Sequence, residues 1–360
     1  MKKQSKKPSG FNLQLKPVGS FCNLKCKYCY VEPFKEGRRF QVMGDNILER
    51  TISNFLKNTS VPIITWHGGE PTLAGLEFFQ RAIEFMNSYR QPGQTVRNVL
   101  QTNATLITPQ FAGFLKETEF EVSVSLDGPQ NVHGIHRVNY AGKNSFPDVI
   151  RGIENLRQAG LDPSVIATVT QETLPFAVEV FDFLVQNGFR RIKYSPVYDS
   201  ASDQFSISSE KWYTYLLTVF NRWFELGNPD ISVRELDEVI AWLDKETVAL
   251  CSSENSCFNW VSVDPNGQLY PCEYLRSFYG YGNIETISLQ DIPETENYQR
   301  FLKIVKAPPE KCKQCEFYSL CGNGCPATRV ENGLLTPSGV YVYCEQRQKL
   351  FGVVKQAFEA

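Results

Sequence analysis

The sequence predicts an α/β protein built on a parallel sheet, with a smaller cysteine-rich unit after it. Three observations carry this. Strand-like and helix-like segments alternate between residues 11 and 197, giving six strands and five helices. The 360 residues exceed one ordinary domain and suit one large α/β domain plus an appendage. No cysteine occurs between Cys29 and Cys251, and eight of the eleven lie from Cys251 onward.

The elements follow in order. FNLQLKPV (11–18) alternates like a strand and runs into the first cysteine loop. Residues 44–57 place Ile47, Ile52, Phe55 and Leu56 at helical spacing. VPIITWH (61–67) reads as a buried strand, and 75–90 as a helix through Leu76, Phe79, Ile83 and Met86. NVLQT (98–102) is a strand, 108–118 a helix, FEVSVSL (120–126) a strand. Residues 145–159 put Ile150, Ile153 and Leu156 on one helical face, and Gly160 stops that helix. VIATV (165–169), a helix over 174–187 and RIKYSPV (191–197) complete the series.

Such a series forms a partial (β/α) barrel or an open doubly wound sheet, and periodicity does not separate them. In both, functional groups gather at the C-terminal ends of the strands. The cysteine loop follows strand one, HGGEP strand two, QTN closes strand three and SLDG strand four. Beyond the sheet, 199–210 is a polar connector, and helices are predicted near 210–226 and 232–249. FNWVSVDPNGQLYPC reads as a β-hairpin turning at Asp264 to Gly267, and 345–358 as a closing helix. The expected organisation is a flexible basic tail (1–10), a core (11–230), a connecting helix (231–250) and a cysteine-rich unit (251–360).

Composition excludes some functions. A net charge of −2 gives no reason to expect nucleic-acid binding. No run of about 18 apolar residues occurs, so no membrane span is expected. The start, MKKQSKKPSG, lacks the apolar segment of a secretory signal, and its lysines read as a solvated tail. The expected location is the cytoplasm, where eleven cysteines call for metal or redox chemistry rather than disulfides.

Cys22, Cys26 and Cys29 offer three thiolates within eight residues. Structural zinc wants four protein ligands, and His67 or a distant cysteine could complete it. A [4Fe–4S] cluster on three cysteines instead leaves one iron open to a substrate or cofactor. CNLKCKYC, with aromatic Tyr28 before the last cysteine, resembles the CxxxCxxC signature of the radical S-adenosylmethionine (SAM) superfamily. The resemblance implies a partial (β/α)6 barrel whose open iron chelates the methionyl group of SAM. One electron then splits the sulfonium, and a 5′-deoxyadenosyl radical abstracts a substrate hydrogen. The electron comes from an external donor such as flavodoxin or ferredoxin.

Further motifs are similar to that family's. His67-Gly68-Gly69-Glu70-Pro71 looks like its GGEP turn: the glycines allow close backbone approach, and Glu70 suits the methionyl ammonium. Ser125, Arg137 and Asn103 are similar in spacing to cofactor-contacting residues, and the fork of Arg137 suits a carboxylate. His133 and His136 read as structural.

The C-terminal cysteines resemble the SPASM domain, an auxiliary-cluster extension of peptide-modifying radical enzymes. By that pattern Cys251, Cys257, Cys272 and Cys325 hold one [4Fe–4S] cluster, and Cys312, Cys315, Cys321 and Cys344 a second. The expectation is three clusters, with two structural zincs as the alternative for the eight distal cysteines. Closed auxiliary clusters would carry electrons from a substrate radical.

Two reactions compete under this resemblance. Anaerobic sulfatase-maturating enzymes oxidise a Cys or Ser to formylglycine; they share the eight-cysteine layout and PTLAG, but carry Asp as a base where this chain has Glu273. Maturases of ribosomally made peptides are closer in HGGEP and CGNGCP, so the sequence leans to modification of a ribosomal precursor peptide. Strand one begins near residue 11, leaving no room before it for a leader-gripping module, so a separate leader-binding partner or direct recognition is expected. A ferredoxin-like electron carrier is the non-catalytic alternative; it leaves GGEP and the six-strand core without a purpose.

Overall fold

Alternation of side chains organises the sheet. The computed structural model describes residues 10–31, 39–197, 204–246, 256–331, 334–336 and 338–359. Residues 1–9 of the basic tail and Cys251 lie outside the described residues. Six strands, β1 (Asn12–Leu15), β2 (Ile63–Trp66), β3 (Arg97–Thr102), β4 (Glu121–Ser125), β5 (Ser164–Val169) and β6 (Arg191–Pro196), pair in parallel in that order. A doubly wound sheet reverses its order at a switch point. Six parallel strands in consecutive order are those of an incomplete (β/α) barrel.

One sheet face carries Leu13, Leu15, Ile64, Trp66, Leu100, Val122, Val124, Val165 and Ile192, all buried. They pack in one core with the helices α1 (Asp45–Asn58), α2 (Leu76–Tyr89), α3 (Pro109–Glu117), α4 (Gln130–His136), α5 (Phe146–Gln158) and α6 (Ala177–Gln186). Helix α1 buries Ile47, Leu48, Ile52, Phe55 and Leu56, each worth roughly 1.5–3 kcal/mol. Helix α5 approaches the loop after β3 so closely that a Cβ on Gly152 would lie 1.9 Å from the Ala104 carbonyl oxygen.

The opposite face carries Gln14, Thr65, Gln101, Ser125, Thr168 and Lys193, all only partly covered. Parallel sheets are ordinarily apolar on both faces. A polar, part-open inner face therefore marks space kept for something other than core. The reading of VPIITWH as a uniformly buried run is corrected accordingly, since Ile63 and Thr65 turn to this face.

The segment after α7 (Ser209–Leu226) also differs from expectation. Instead of one helix over 232–249, β7 (Ser232–Val233) pairs with β6, and α8 begins only at Arg234 (Arg234–Leu243). Val233 is β-branched and fully buried in that strand position, which suits it better than a helix interior.

The hairpin of the cysteine-rich region is built as predicted: β8 (Trp260–Val263) and β9 (Gln268–Tyr270) run antiparallel, with Gly267 in the left-handed region at φ 79°. Strand β8 pairs in parallel with β1, from Asn12 opposite Trp260 to Leu15 opposite Val263. A further strand, β10 (Gly282–Asn283), extends β9. The cysteine-rich region thus continues the core sheet. The closing helix (Cys344–Glu359) packs against α7 and α8, with Arg347 pairing with Glu238 at 3.2 Å. Among the described residues no helix is long and apolar enough to cross a membrane.

Candidate active site

Three thiols project from the loop after β1. Backbone bonds tie that loop to the segment after α4: Lys25 N donates to Val138 O (2.8 Å) and Lys27 N to His136 O (3.1 Å). The HGGEP turn packs against its start, with Gly69 N donating to Gly19 O (2.9 Å) and Glu70 N to Phe21 O (2.7 Å). A Cβ on Gly69 would lie 1.9 Å from Phe21 O, and one on Gly68 would lie 2.4 Å from Gly19 O. The close approach that these glycines permit is therefore to the cysteine loop's own backbone.

Glu70 is fully buried. Its Oε1 accepts from Thr72 N (3.1 Å), Thr72 Oγ1 (2.6 Å) and Thr102 Oγ1 (2.8 Å), and its Oε2 from Asn103 N (2.7 Å). Burial raises its carboxyl pKa and these bonds oppose the shift. Asn103 in turn donates through Nδ2 to Asn23 Oδ1 (2.9 Å) and to Cys22 Sγ (3.6 Å). The ends of β2 and β3 are thus wired to the first cysteine.

A second network holds the other side. Asp127 Oδ2 accepts from the Tyr28 hydroxyl (2.6 Å) and from Arg137 Nε (2.8 Å), and its Oδ1 from Thr168 N (2.9 Å). Arg137 also lies 5.5 Å from the Tyr28 ring centre. Arg137 is buried, so its ion pair is internal rather than a surface bridge. Ser125 lies on the inner face, its Oγ accepting from Gln101 Nε2 at 3.1 Å. His133 and His136 are buried against Ser145 and Thr170 at 3.0 and 2.8 Å, as structural histidines are.

The donor set fits an iron–sulfur cluster. Burial pushes the Cys22 thiol up to about 12 and Cys26 up to about 11, with the neighbouring cysteines adding to both. Thiols in this state gain from a metal that replaces the proton. Arg137 favours the Cys26 thiolate. No group of three or more His, Cys, Asp or Glu among the described residues is placed to hold a single metal ion. A four-iron cube is larger than one ion and spreads its thiolates further apart.

The seven described C-terminal cysteines divide between one shared cavity and the neighbourhood of two tyrosines. Cys312, Cys315, Cys321 and Cys344 line one small cavity with Phe317 and Gln348, whose Nε2 donates to Cys315 Sγ at 2.9 Å. Cys257 and Cys272 lie near Tyr281, and Cys272 and Cys325 near Tyr30. None of the ten described cysteines forms a disulfide. Tyr30, directly after Cys29, stacks on Tyr274 with ring centres 4.2 Å apart.

Glu273 is mostly covered, its side chain 20% exposed. It pairs with Lys16, a nearly buried cation at the end of β1, and Arg276 lies 3.9 Å away. His67 shares this surrounding; desolvation and the charge of Lys16 lower its pKa to about 4, so it is neutral at neutral pH.

Residues 17–184 match the model of the radical SAM superfamily, and residues 251–316 match SPASM, an iron–sulfur cluster-binding domain. The chain belongs to the radical SAM superfamily. The serine-type anaerobic sulfatase-maturating enzyme of Bacteroides thetaiotaomicron is 28% identical over 94% of this chain and 88% of its own. The cysteine-type enzyme of Clostridium perfringens is 28% identical over 94% of this chain and 95% of its own. The solved structure of anSMEcpe with bound AdoMet and the Cp18Cys peptide superposes with a TM-score of 0.86 at 27% identity, covering 97% of this chain and 98% of that one.

A radical SAM core replaces the ferredoxin-like reading, which gave the six-strand sheet no purpose. The relatives weigh against the sequence's lean: they are sulfatase-maturating enzymes, and HGGEP alone does not make this chain a ribosomal-peptide maturase. Sequence reasoning missed two residues of this radical SAM site. Asp127 stood in the SLDG stretch but carried no motif of its own. Lys16 was signalled only by a charge among the alternating apolar residues of strand one.

Proposed function

We propose that this radical SAM protein modifies another protein in the manner of the sulfatase-maturating enzymes, oxidising a Cys or Ser side chain to formylglycine. The observation that carries this is the pairing of Glu273 with Lys16 beside the inner face of the sheet. It keeps an anionic proton acceptor directly after Cys272, where the resembling enzymes carry Asp. The full-length similarity to two such enzymes supports it.

The substrate residue must lose a hydrogen atom from Cβ, a proton from its thiol or hydroxyl, and one electron. Serine then becomes the aldehyde directly; cysteine becomes a thioaldehyde, which takes up water and releases hydrogen sulfide. When bound, SAM with its reduced cluster supplies the hydrogen-abstracting radical, and the auxiliary clusters supply an electron acceptor. Cys22, Cys26 and Cys29 would hold the first cluster. Cys257, Cys272 and Cys325, with Cys251, would hold the second, and Cys312, Cys315, Cys321 and Cys344 the third. Glu70 and Asn103 keep the first loop in register, and Tyr28 and Asp127 hold Arg137, which would meet the cofactor carboxylate. Gly68 and Gly69 let the turn pack on the cysteine loop, and Ser125 on the inner face would meet the cofactor. Glu273 takes the proton. A flavodoxin or ferredoxin would provide the initiating electron.

The test is anaerobic reconstitution followed by incubation with SAM, a reductant and sulfatase-derived peptides carrying Cys or Ser. We expect 5′-deoxyadenosine together with aldehyde on one of them. Abundant 5′-deoxyadenosine, no aldehyde and a crosslink on a short ribosomal precursor would overturn this reading in favour of peptide maturation.

A further inference from the structure

The loop between Cys321 and Cys325 has an unusual backbone. Gly322, Asn323 and Gly324 are successively left-handed, with φ of 56°, 65° and 58°. Glycine adopts this region freely, and Asn is among the side chains that enter it most readily. Three consecutive residues held this way bring their carbonyls onto one guanidinium. Arg329 donates through Nε to Asn323 O (3.0 Å) and through one terminal nitrogen to Gly322 O and Gly324 O (both 3.2 Å). The Asn323 side chain pins the loop from another side, donating to Gly339 O and accepting from Tyr341 N, each at 3.0 Å.

Arg329 is 1% exposed. A buried guanidinium keeps its charge. The loop that clasps it joins two cysteines of different groups: Cys321 lines the four-cysteine cavity, and Cys325 lies near Tyr30 with Cys272. The guanidinium is within electrostatic reach of Cys325 and Cys257 of one group and Cys312 of the other.

We propose that Arg329 is a positioning residue for the electron-accepting end of the reaction: a buried cation, clasped by the CGNGC loop between two iron–sulfur sites, that raises the reduction potential of both. This rests on the auxiliary-cluster reading given above. A reduced cluster is more negative than an oxidised one, so a fixed positive charge nearby stabilises the reduced form. The effect is largest where water is excluded. A single residue thereby tunes both centres and holds the strap between them.

The experiment is an EPR-monitored redox titration of the anaerobically reconstituted full chain, with iron analysis, for wild type, R329K and R329Q. We expect R329Q to keep its iron and to show both auxiliary potentials shifted negative, with the SAM-site potential unchanged. R329K should stay close to wild type. Unchanged auxiliary potentials in an iron-replete R329Q would overturn the inference. If R329Q loses auxiliary iron, R329K decides: retained iron and wild-type potentials support the role of charge. Loss of iron in R329K would instead reduce Arg329 to a structural brace. Failure of the underlying reading looks different, since wild type itself would then fall well short of about twelve irons per chain.

Discussion

Arg137 and Asp127 form an ion pair at 2.8 Å with both side chains buried, and the Tyr28 hydroxyl donates to the same carboxylate oxygen. The pair joins the end of β4 to the cysteine loop, because Tyr28 stands between Cys26 and Cys29. Removing one partner of a buried pair leaves a bare charge. D127N should therefore destabilise the protein by about 3 kcal/mol, read from anaerobic urea melts. It should also lower SAM affinity, because the Arg137 fork is no longer held.

Lys16 and Glu273 allow a separation of steps. K16M leaves Glu273 without its close cation, and E273Q removes the carboxylate proposed to take the proton. Both should keep forming 5′-deoxyadenosine, while aldehyde falls about 100-fold, the scale of a misplaced catalytic group. The ratio of aldehyde to 5′-deoxyadenosine measures this. Parallel loss of both products would place Glu273 outside the proton-transfer step.

Gly69 offers a steric test. A methyl group there meets backbone, Phe21 O at 1.9 Å, and backbone cannot swing aside as a side-chain tip can. G69A should destabilise by about 3 kcal/mol and displace the loop bearing Cys22, lowering iron at the SAM site. Gly113, inside α3, is the control, because a methyl group added there would meet nothing within 4 Å. G113A should stabilise by about 0.5–1 kcal/mol through helix propensity, with iron content unchanged.

Glu235 predicts a pH dependence. Burial raises its carboxyl to about 7, with Glu238 adding and Lys193 opposing. The unfolded chain releases this proton near about 4.3. Between those values the folded state binds more protons, so stability falls as pH rises through the window and levels off above about 7. E235Q should flatten the profile and, near about pH 8, exceed wild type by about 2 kcal/mol, a figure reduced for the partial exposure of the side chain. Urea melts at the two ends of the window check it.

Much of this architecture was legible because strands and helices write different periods. The alternation in 11–18 and the helical spacing of Ile47, Ile52, Phe55 and Leu56 each match an observed element. What periodicity left open was the order of the strands, which depends on pairings far apart in sequence. The parallel register of Trp260 to Val263 on Asn12 to Leu15 is of that kind, because either segment alone reads only as a short strand. The motifs marked Glu70, Asn103 and Arg137, since their residue types suit the chemistry. Their partners were harder to see: Asp127 and Lys16 gain meaning only from the side chains that the fold brings to them. The clasp of Arg329 depends on three consecutive left-handed residues, a conformation that no spacing announces.

Strand β8 sits beside β1 as a parallel neighbour, and Lys16 N donates to Val263 O at 3.0 Å. A chain cut after residue 250 would uncover that flank of β1 and present its unpaired amides and carbonyls to other molecules, an invitation to aggregate. The hairpin is therefore a dividing wall common to two rooms. Grafting a related hairpin from Trp260 to Glu273 would exchange the residue at position 273 while the sheet stays sealed. An engineer seeking new substrates would do better to trade that wall than to amputate what lies beyond it.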